Sequence, residues 1–113
     1  MAFNQQASLK GFDRVFSVSP EARPYTLRDN GFVNTNKGNF QYKRSLKTDN
    51  AQGLVFKVMI DEDLKTLKMS TASEKGFKTI DVTQLNNNEV IIEKINFILD
   101  GFVERHVLIE HDV

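Results

Sequence analysis

Three side chains, Arg28, Tyr42 and Arg44, offer the chemistry of an anion-binding site. Arg44 shares the inner face of a predicted strand with Tyr42, because side chains two positions apart on a strand point to the same side. A planar guanidinium donates a fork of hydrogen bonds that matches a carboxylate or a phosphate. We therefore predict that Arg44, the Tyr42 hydroxyl and Arg28 form the polar end of a cavity for a small anionic metabolite.

The inward position of Arg44 also has two structural explanations. A buried guanidinium is costly without a partner, so an acidic side chain could pair with it. Alternatively, its aliphatic stem could carry the charged group to the rim of the sheet. The sequence leaves both alternatives open beside the anion-binding hypothesis.

The other titratable residues do not form a catalytic or metal-binding pattern. His106 and His111 are five residues apart at the C-terminal end, which is a poor preformed metal site. Asp61, Glu62 and Asp63 are consecutive, so their carboxylates diverge, and the run lacks the spacing of an EF-hand. The chain has no Cys and no GxSxG or GxxxxGK[ST] motif. We predict no catalytic residue, no metal and no cofactor, and favour a protein that is not an enzyme.

Cations and aromatic rings alternate between Lys37 and Lys47, a composition that can bind nucleic acid. The whole chain is neutral, however, with 15 Lys and Arg against 15 Asp and Glu, and the rings are expected to face the core. Neither a signal peptide nor an apolar run of about 18 residues occurs. We predict no nucleic-acid partner, no membrane partner and a cytoplasmic location.

The charge is unevenly divided along the chain. Residues 1–56 carry eight Lys or Arg and four Asp or Glu, whereas residues 57–113 carry seven and eleven. Two halves that pack together would largely cancel, so we favour chance over a dipolar surface that orients partners.

One long amphipathic helix is predicted from Asn86 to about Arg105. At 3.6 residues per turn, one apolar stripe contains Ile91, Ile95, Ile98 and Phe102. Ile95 and Ile98 are expected to be buried at its centre. An N-cap at Asn86 would place Glu89 at N3, in a capping-box arrangement. The period fails at Val107, which ends the helix near Arg105.

A first strand and about five further antiparallel strands precede that helix. The predicted strands are Phe12–Val18, Phe32–Asn34, Phe40–Lys47, Leu54–Ile60, Leu64–Ser70 and Phe77–Val82. The segment Leu54–Ile60 is apolar on both faces and is therefore expected to be central. Ser19 is expected to begin a helical turn that Pro24 ends, Tyr25–Arg28 to be extended, and Glu110–Val113 to fray.

These elements predict an α+β fold in a single domain, residues 1–113. Its curved antiparallel sheet or sheets pack on one long C-terminal helix. The arrangement is a helix grip of the kind found in TATA-binding-protein-like folds. The sequence does not decide between one sheet and two, and it does not give the oligomeric state.

Three stretches carry a resemblance to a known family: FNQQ at 3–6, YTLRDNGF at 25–32 and GNFQY at 38–42. With the overall length, they resemble DUF1831, a small domain-of-unknown-function family of lactic acid bacteria. The resemblance covers essentially the whole chain and implies an α+β fold with a sheet on one main helix. It also implies a loose tie to amino-acid and sulfur metabolism, partly through neighbouring cysteine desulfurase genes.

The same resemblance implies a remote similarity in fold to S-adenosylmethionine decarboxylases. Those enzymes form a pyruvoyl group by cleaving a chain at a Glu-Ser bond. This sequence contains Ser73-Glu74 but no Glu followed by Ser. We therefore reject the decarboxylase chemistry for this chain.

We interpret the sequence as a non-enzymatic domain of amino-acid or sulfur metabolism that binds a small metabolite or acts as an accessory protein. The alternative is an interaction partner of a metabolic enzyme such as a cysteine desulfurase. An enzyme remotely related to the decarboxylases is the third hypothesis. An internal polar cavity would favour the first, and an exposed apolar patch the second.

Overall fold

One strand and a short helix precede four consecutive strands, and a 3₁₀ turn, a long helix and a last strand follow them. The structure, a computed structural model, describes residues 3–46, 53–73, 79–85 and 88–111. The elements are β1 (Val15–Val18), α1 (Pro24–Asp29), β2 (Val33–Asn34), β3 (Phe40–Ser45), β4 (Leu54–Ile60), β5 (Leu67–Ser73), a 3₁₀ turn (Val82–Gln84), α2 (Glu89–Glu104) and β6 (Leu108–His111). All pairs of these strands are antiparallel, and the α+β class with one long C-terminal helix is confirmed.

The larger sheet has four strands in the order β2–β3–β4–β5. Its central strand β4 was predicted from its apolar residues on both faces. The register places Val58 between Tyr42 and Met69, and all three side chains are buried. A slip of one residue would turn this apolar row to solvent, so the hydrophobic pattern specifies the register.

A second sheet pairs β1 with β6 and so joins the two ends of the described chain. Phe16 lies opposite Glu110, and Val15 opposite His111. The predicted fraying is therefore wrong for Glu110 and His111. Periodicity within one segment could not show this pairing, because β1 and β6 are separated by almost the whole chain.

Helix α2 packs its apolar stripe against the inner face of the larger sheet. Its buried residues are Ile91, Ile95, Leu99, Gly101 and Phe102. The prediction that Ile98 is central is wrong, because Leu99 is fully buried and Ile98 only partly. Positions 91, 95, 99 and 102 follow the 3.6-residue period, and position 98 falls on the flank of that stripe.

The helix begins later than predicted and ends where predicted. Its first residue is Glu89, its N-cap is Asn88 and its C-cap is Arg105, so Glu89 is not at N3. The Asn88 amide donates to the carbonyl oxygens of Val82 and Thr83 at 3.0 and 3.2 Å. That side chain ties the helix start to the 3₁₀ turn. The predicted N-cap, Asn86, lies outside the described residues.

Helix α1 replaces the extended segment that was predicted at Tyr25–Arg28. Pro24 is at its first turn, where the missing N–H has no helical partner to lose. The turn predicted at Ser19 is confirmed, since the Ala22 N–H donates to the Ser19 carbonyl oxygen at 3.0 Å, and Pro24 begins a separate helix after it. Leu27 is fully buried and anchors α1 in the core.

Several other strand boundaries differ from the predicted ones. The first strand starts at Val15 instead of Phe12. Strand β5 starts at Leu67, because Leu64 has a φ of +59° inside the preceding turn. Val82 belongs to the 3₁₀ turn and not to a strand. Outside the described residues lie Lys47, Phe77 and Lys78 of the predicted strands, together with the connecting residues 48–52 and 74–76. In the described part of the chain, no helix is long and apolar enough to cross a membrane.

We predict that Ile95→Ala lowers the free energy of unfolding by roughly 2–5 kcal/mol, because the side chain is fully buried and its removal leaves a cavity. Ile98→Ala is the matched control on the flank of the same helix and should cost only about 1 kcal/mol. Urea denaturation of both variants measures the difference. An equal loss from the two would contradict the placement of the stripe.

Candidate functional site

An open groove of about 1970 Å³ runs between α1, β3 and α2. Its floor contains the buried side chains Tyr42, Leu46 and Phe102. Small-molecule pockets are typically about 300–1,000 Å³ and enclose most of their ligand. The groove is therefore larger and more open than a site for one small metabolite requires.

The rings at the floor hold one another in place. Tyr42 meets Phe102 edge to face, with ring centroids 5.0 Å apart, and lies 5.6 Å from Phe32. Gly31 has a φ of +92°, and a Cβ at this position would lie 3.2 Å from Tyr42 Cε2. Glycine therefore allows both the turn after α1 and its close approach to the tyrosine ring.

Exposed apolar side chains are concentrated along the groove walls. Tyr25 of α1 and Val90 and Phe97 of α2 are 66%, 52% and 66% exposed. Val90 and Phe97 are seven residues apart, so they point to the same side of the helix two turns apart. Of the five large apolar side chains exposed in the described part of the chain, three line this groove.

The rim of the groove is mixed in charge with an acidic excess. Its acidic residues are Asp29, Glu89, Glu93, Asp100 and Glu104, and its basic residues are Arg44, Lys94 and Arg105. An apolar centre with a charged rim is the usual anatomy of a protein–protein interface.

The structure brings together two of the three residues predicted to bind an anion. Tyr42 and Arg44 both line the groove. Arg44 is exposed. The prediction that its guanidinium is buried is therefore wrong, and the exposure agrees with the alternative that places the charged group at the rim. Arg28 is outside the groove lining. Its guanidinium lies 5.9 Å from the Phe40 ring centroid and donates to Asn34 Oδ1 at 3.4 Å.

Sequence reasoning missed the exposed aromatic residues of the groove. Phe97 lies on the polar side of α2, next to Asn96 and within the acidic ridge. An aromatic residue on the polar side of an amphipathic helix is the pattern that could have identified it. Tyr25 was missed because it lies on α1, and the sequence predicted an extended segment there.

Arg14 fixes one side of the groove by joining β1, β6 and α2. It donates to Glu110 from Nε and a terminal nitrogen at 2.9 and 2.8 Å. It also donates to Asp100 at 2.6 Å and to Asn96 at 3.0 Å. Asp100 and Asn96 both line the groove. Hydrogen bonding to Arg14 lowers the pKa of Glu110, and hydrogen bonding to Glu110 raises the pKa of Arg14.

The two histidines have separate partners. His111 Nε2 lies 2.7 Å from Ser17 Oγ, whereas His106 Nδ1 lies 3.2 Å from a Glu21 carboxylate oxygen. Among the described residues, no group of three or more His, Cys, Asp or Glu could hold a metal ion.

Comparisons with known proteins agree on one family. The DUF1831 family model, described as "Putative amino acid metabolism", matches residues 1–109. The crystal structure of a DUF1831 family protein from Lactobacillus plantarum, solved at 1.20 Å resolution, is similar to this chain with a TM-score of 0.85 and 28% sequence identity. The match covers 98% of this chain and 99% of that one. No curated protein matches.

We predict that the ion pair of Arg14 and Glu110 makes the fold sensitive to acid. The pKa of Glu110 is lowered by folding, so its stabilising effect is complete above the unfolded pKa and is lost as the pH falls through the folded one. The partly exposed pair should contribute no more than about 1 kcal/mol. Urea denaturation between about pH 6 and pH 3 should show a shallower loss of stability in Glu110→Gln than in the parent.

Glu104→Gln is the matched control, because it removes an exposed glutamate of α2 that Arg14 does not contact. In this variant the free energy of unfolding should depend on pH as steeply as it does in the parent. The same change of slope in both variants would show that the effect is general and not caused by the pair.

Proposed function

The chain belongs to the DUF1831 family, whose model matches residues 1–109, and we propose that it is a non-enzymatic accessory domain of amino-acid metabolism. In this proposal the groove binds a segment of a partner enzyme. The description of the family supports the metabolic setting. The observation that supports protein binding is the two-thirds exposed ring of Phe97 in a groove that Tyr25 and Val90 also line.

The energetic argument concerns apolar surface left in water. Burying a phenylalanine side chain contributes roughly 1.5–3 kcal/mol, and aromatic anchors at the centre of an interface carry much of its binding energy. A partner segment that covers Phe97, Val90 and Tyr25 would gain a part of this contribution from each, because the three side chains are 66%, 52% and 66% exposed. The buried floor keeps its shape on binding, since Tyr42 and Phe102 pack against each other.

A cysteine desulfurase is the partner that we put forward first. The resemblance described above ties the family to sulfur metabolism through neighbouring genes for this enzyme. The acidic excess of the groove rim favours a segment of the partner that carries Lys or Arg around an apolar centre. Complementary charge at the rim would speed association more than it would strengthen the complex.

We predict that Phe97→Ser weakens binding to a purified cysteine desulfurase from the same bacterium by roughly tenfold or more, as expected for loss of an aromatic anchor. Ile109→Ser is the matched control, because Ile109 is also an exposed apolar residue, at 38%, but lies on β6, outside the groove. Isothermal titration calorimetry measures both affinities. Equal affinity of parent and Phe97→Ser would exclude the groove, and weakening by Ile109→Ser alone would move the contact to another face.

A second candidate function is the binding of an anionic metabolite, and the placement of Arg44 favours it. Its exposed guanidinium lines the same groove as Tyr42. A carboxylate or phosphate at this rim could accept two parallel hydrogen bonds from the guanidinium fork. Amino acids and sulfur metabolites carry such groups, which agrees with the description of the family.

We predict that Arg44→Lys lowers the affinity for a carboxylate- or phosphate-bearing metabolite found by thermal-shift screening, because the charge remains but the fork is lost. The matched control is Arg28→Lys, since Arg28 lies outside the groove. Titration of both variants beside the parent should show weaker binding in Arg44→Lys only. Unchanged affinity in Arg44→Lys would remove this residue from the site.

A further inference from the structure

The outer sheet face is the side of β2 to β5 that points away from α2. Strand register arranges its ten side chains in three rows. The rows are Val33, Gln41, Met59 and Lys68; Lys43, Lys57 and Ser70; and Ser45, Val55 and Ala72. Ser45, at the end of β3, also borders the groove. None of these ten side chains is Asp or Glu and three are Lys, of which Lys68 already has its ammonium 4.8 Å from the Phe3 ring centroid.

The charges on this face oppose the stability of the fold. Lys43 lies directly opposite Lys57 in the register of β3 and β4. Side chains in such a pair are about 4.5–5.5 Å apart at Cβ, and like charges there are destabilising. Lys68 is diagonal to Lys57, because its own partner on β4 is Met59. The repulsion would be relieved by an anionic group lying between the lysines.

The outer sheet face remains accessible to solvent. Three of its side chains are exposed, six are half-buried and only Val55 is buried. On the inner face of the same strands, by contrast, Phe56, Val58 and Ile60 have no exposed surface. Val33 is the most exposed apolar residue of the outer face, at 64%.

Charge is therefore separated between two sides of a neutral chain. The groove rim on the helix side has five acidic and three basic residues, whereas the charged residues among the ten described side chains of the outer sheet face are all Lys. This separation differs from the imbalance between residues 1–56 and 57–113, because Lys57 and Lys68 belong to the acidic half of the chain. Separated charge of this kind orients an approaching partner.

We propose that the outer sheet face is a second docking surface and that it binds an acidic amphipathic helix of a partner protein. Carboxylates of that helix would lie between Lys43 and Lys57, and its apolar side would cover Val33 and Met59. A helix laid on an open sheet face is the ordinary way to bury that face. Four strands spaced about 4.8 Å apart and up to seven residues long give room for one helix of about 14 residues.

Nucleic acid fits this surface less well. The ten side chains include no aromatic residue on which bases could stack and no Arg, the side chain that forms forks with phosphate and guanine. The half-buried Phe3 ring beside them already packs against the Lys68 ammonium at 4.8 Å. A phosphate backbone also offers no apolar surface to Val33 and Met59. The combination of lysines with aliphatic side chains instead matches acidic and apolar residues on one helix.

The test uses the full chain and a fluorescein-labelled peptide of about 14 residues, with Leu at i, i+3, i+4 and i+7 spacing and Glu elsewhere. Fluorescence anisotropy measures its affinity. A scrambled peptide of the same composition separates an amphipathic helix from charge alone, and an oligothymidine of equal charge represents nucleic acid. Amide chemical shifts recorded during the titration locate the peptide on the protein.

We expect Lys57→Glu to weaken peptide binding by about tenfold or more. The substitution puts a carboxylate opposite Lys43, so the melting temperature should not fall. The matched control is Lys10→Glu, which makes the same change of charge at an exposed position outside the sheet and should leave the affinity within about twofold. Val33→Ser should weaken binding, and Phe97→Ser should not.

Three results would overturn the proposal. The first is equal weakening by Lys57→Glu and Lys10→Glu, or equal binding of the scrambled peptide, because either would reduce the effect to net charge. The second is tighter binding of the oligothymidine, which would make nucleic acid the occupant. The third is no peptide binding up to about 1 mM. Since Phe97→Ser reports on the groove separately, none of these results would bear on the accessory function proposed above.

Discussion

The burial of one helical stripe against one sheet face is the constraint on which the rest of this fold depends. Ile91, Ile95, Leu99 and Phe102 lose nearly all their exposed surface there, and each such side chain contributes roughly 1.5–3 kcal/mol. Once α2 lies on the inner face, its end brings the chain back to β1, where β6 completes the second sheet. The packing of α2 on the larger sheet therefore determines where β6 can pair with β1.

The same packing leaves two opposite surfaces uncovered. One is the groove between α1, β3 and α2, with Phe97 and Tyr25 exposed above a buried aromatic floor. The other is the outer sheet face, with Lys43 opposite Lys57. One surface is apolar with an acidic rim and the other is cationic. The exposed side chains of the two surfaces differ in charge, and each surface is therefore proposed above to bind a different kind of partner.

Arg14 connects the groove to the second sheet. Its guanidinium bridges Glu110 on β6 and Asp100 and Asn96 on α2, and it lies 5.1 Å from the Phe16 ring centroid. A fork with several carboxylate and amide acceptors fixes the direction of α2 more firmly than a lysine would. The shape of this side of the groove therefore depends on the pairing of β1 with β6.

Local periodicity determined the elements that are regular over many residues. It was sufficient for α2, for the central position of β4 and for the strands β2 and β3 before it, because each pattern is complete within one segment. Within α2, however, only packing decided that Leu99 and not Ile98 is central. Tertiary structure alone decided that Arg44 reaches the rim and that Phe97 shares a groove with Tyr25. These outcomes depend on contacts between distant segments, and the alternation of side chains within one strand or helix does not contain that information.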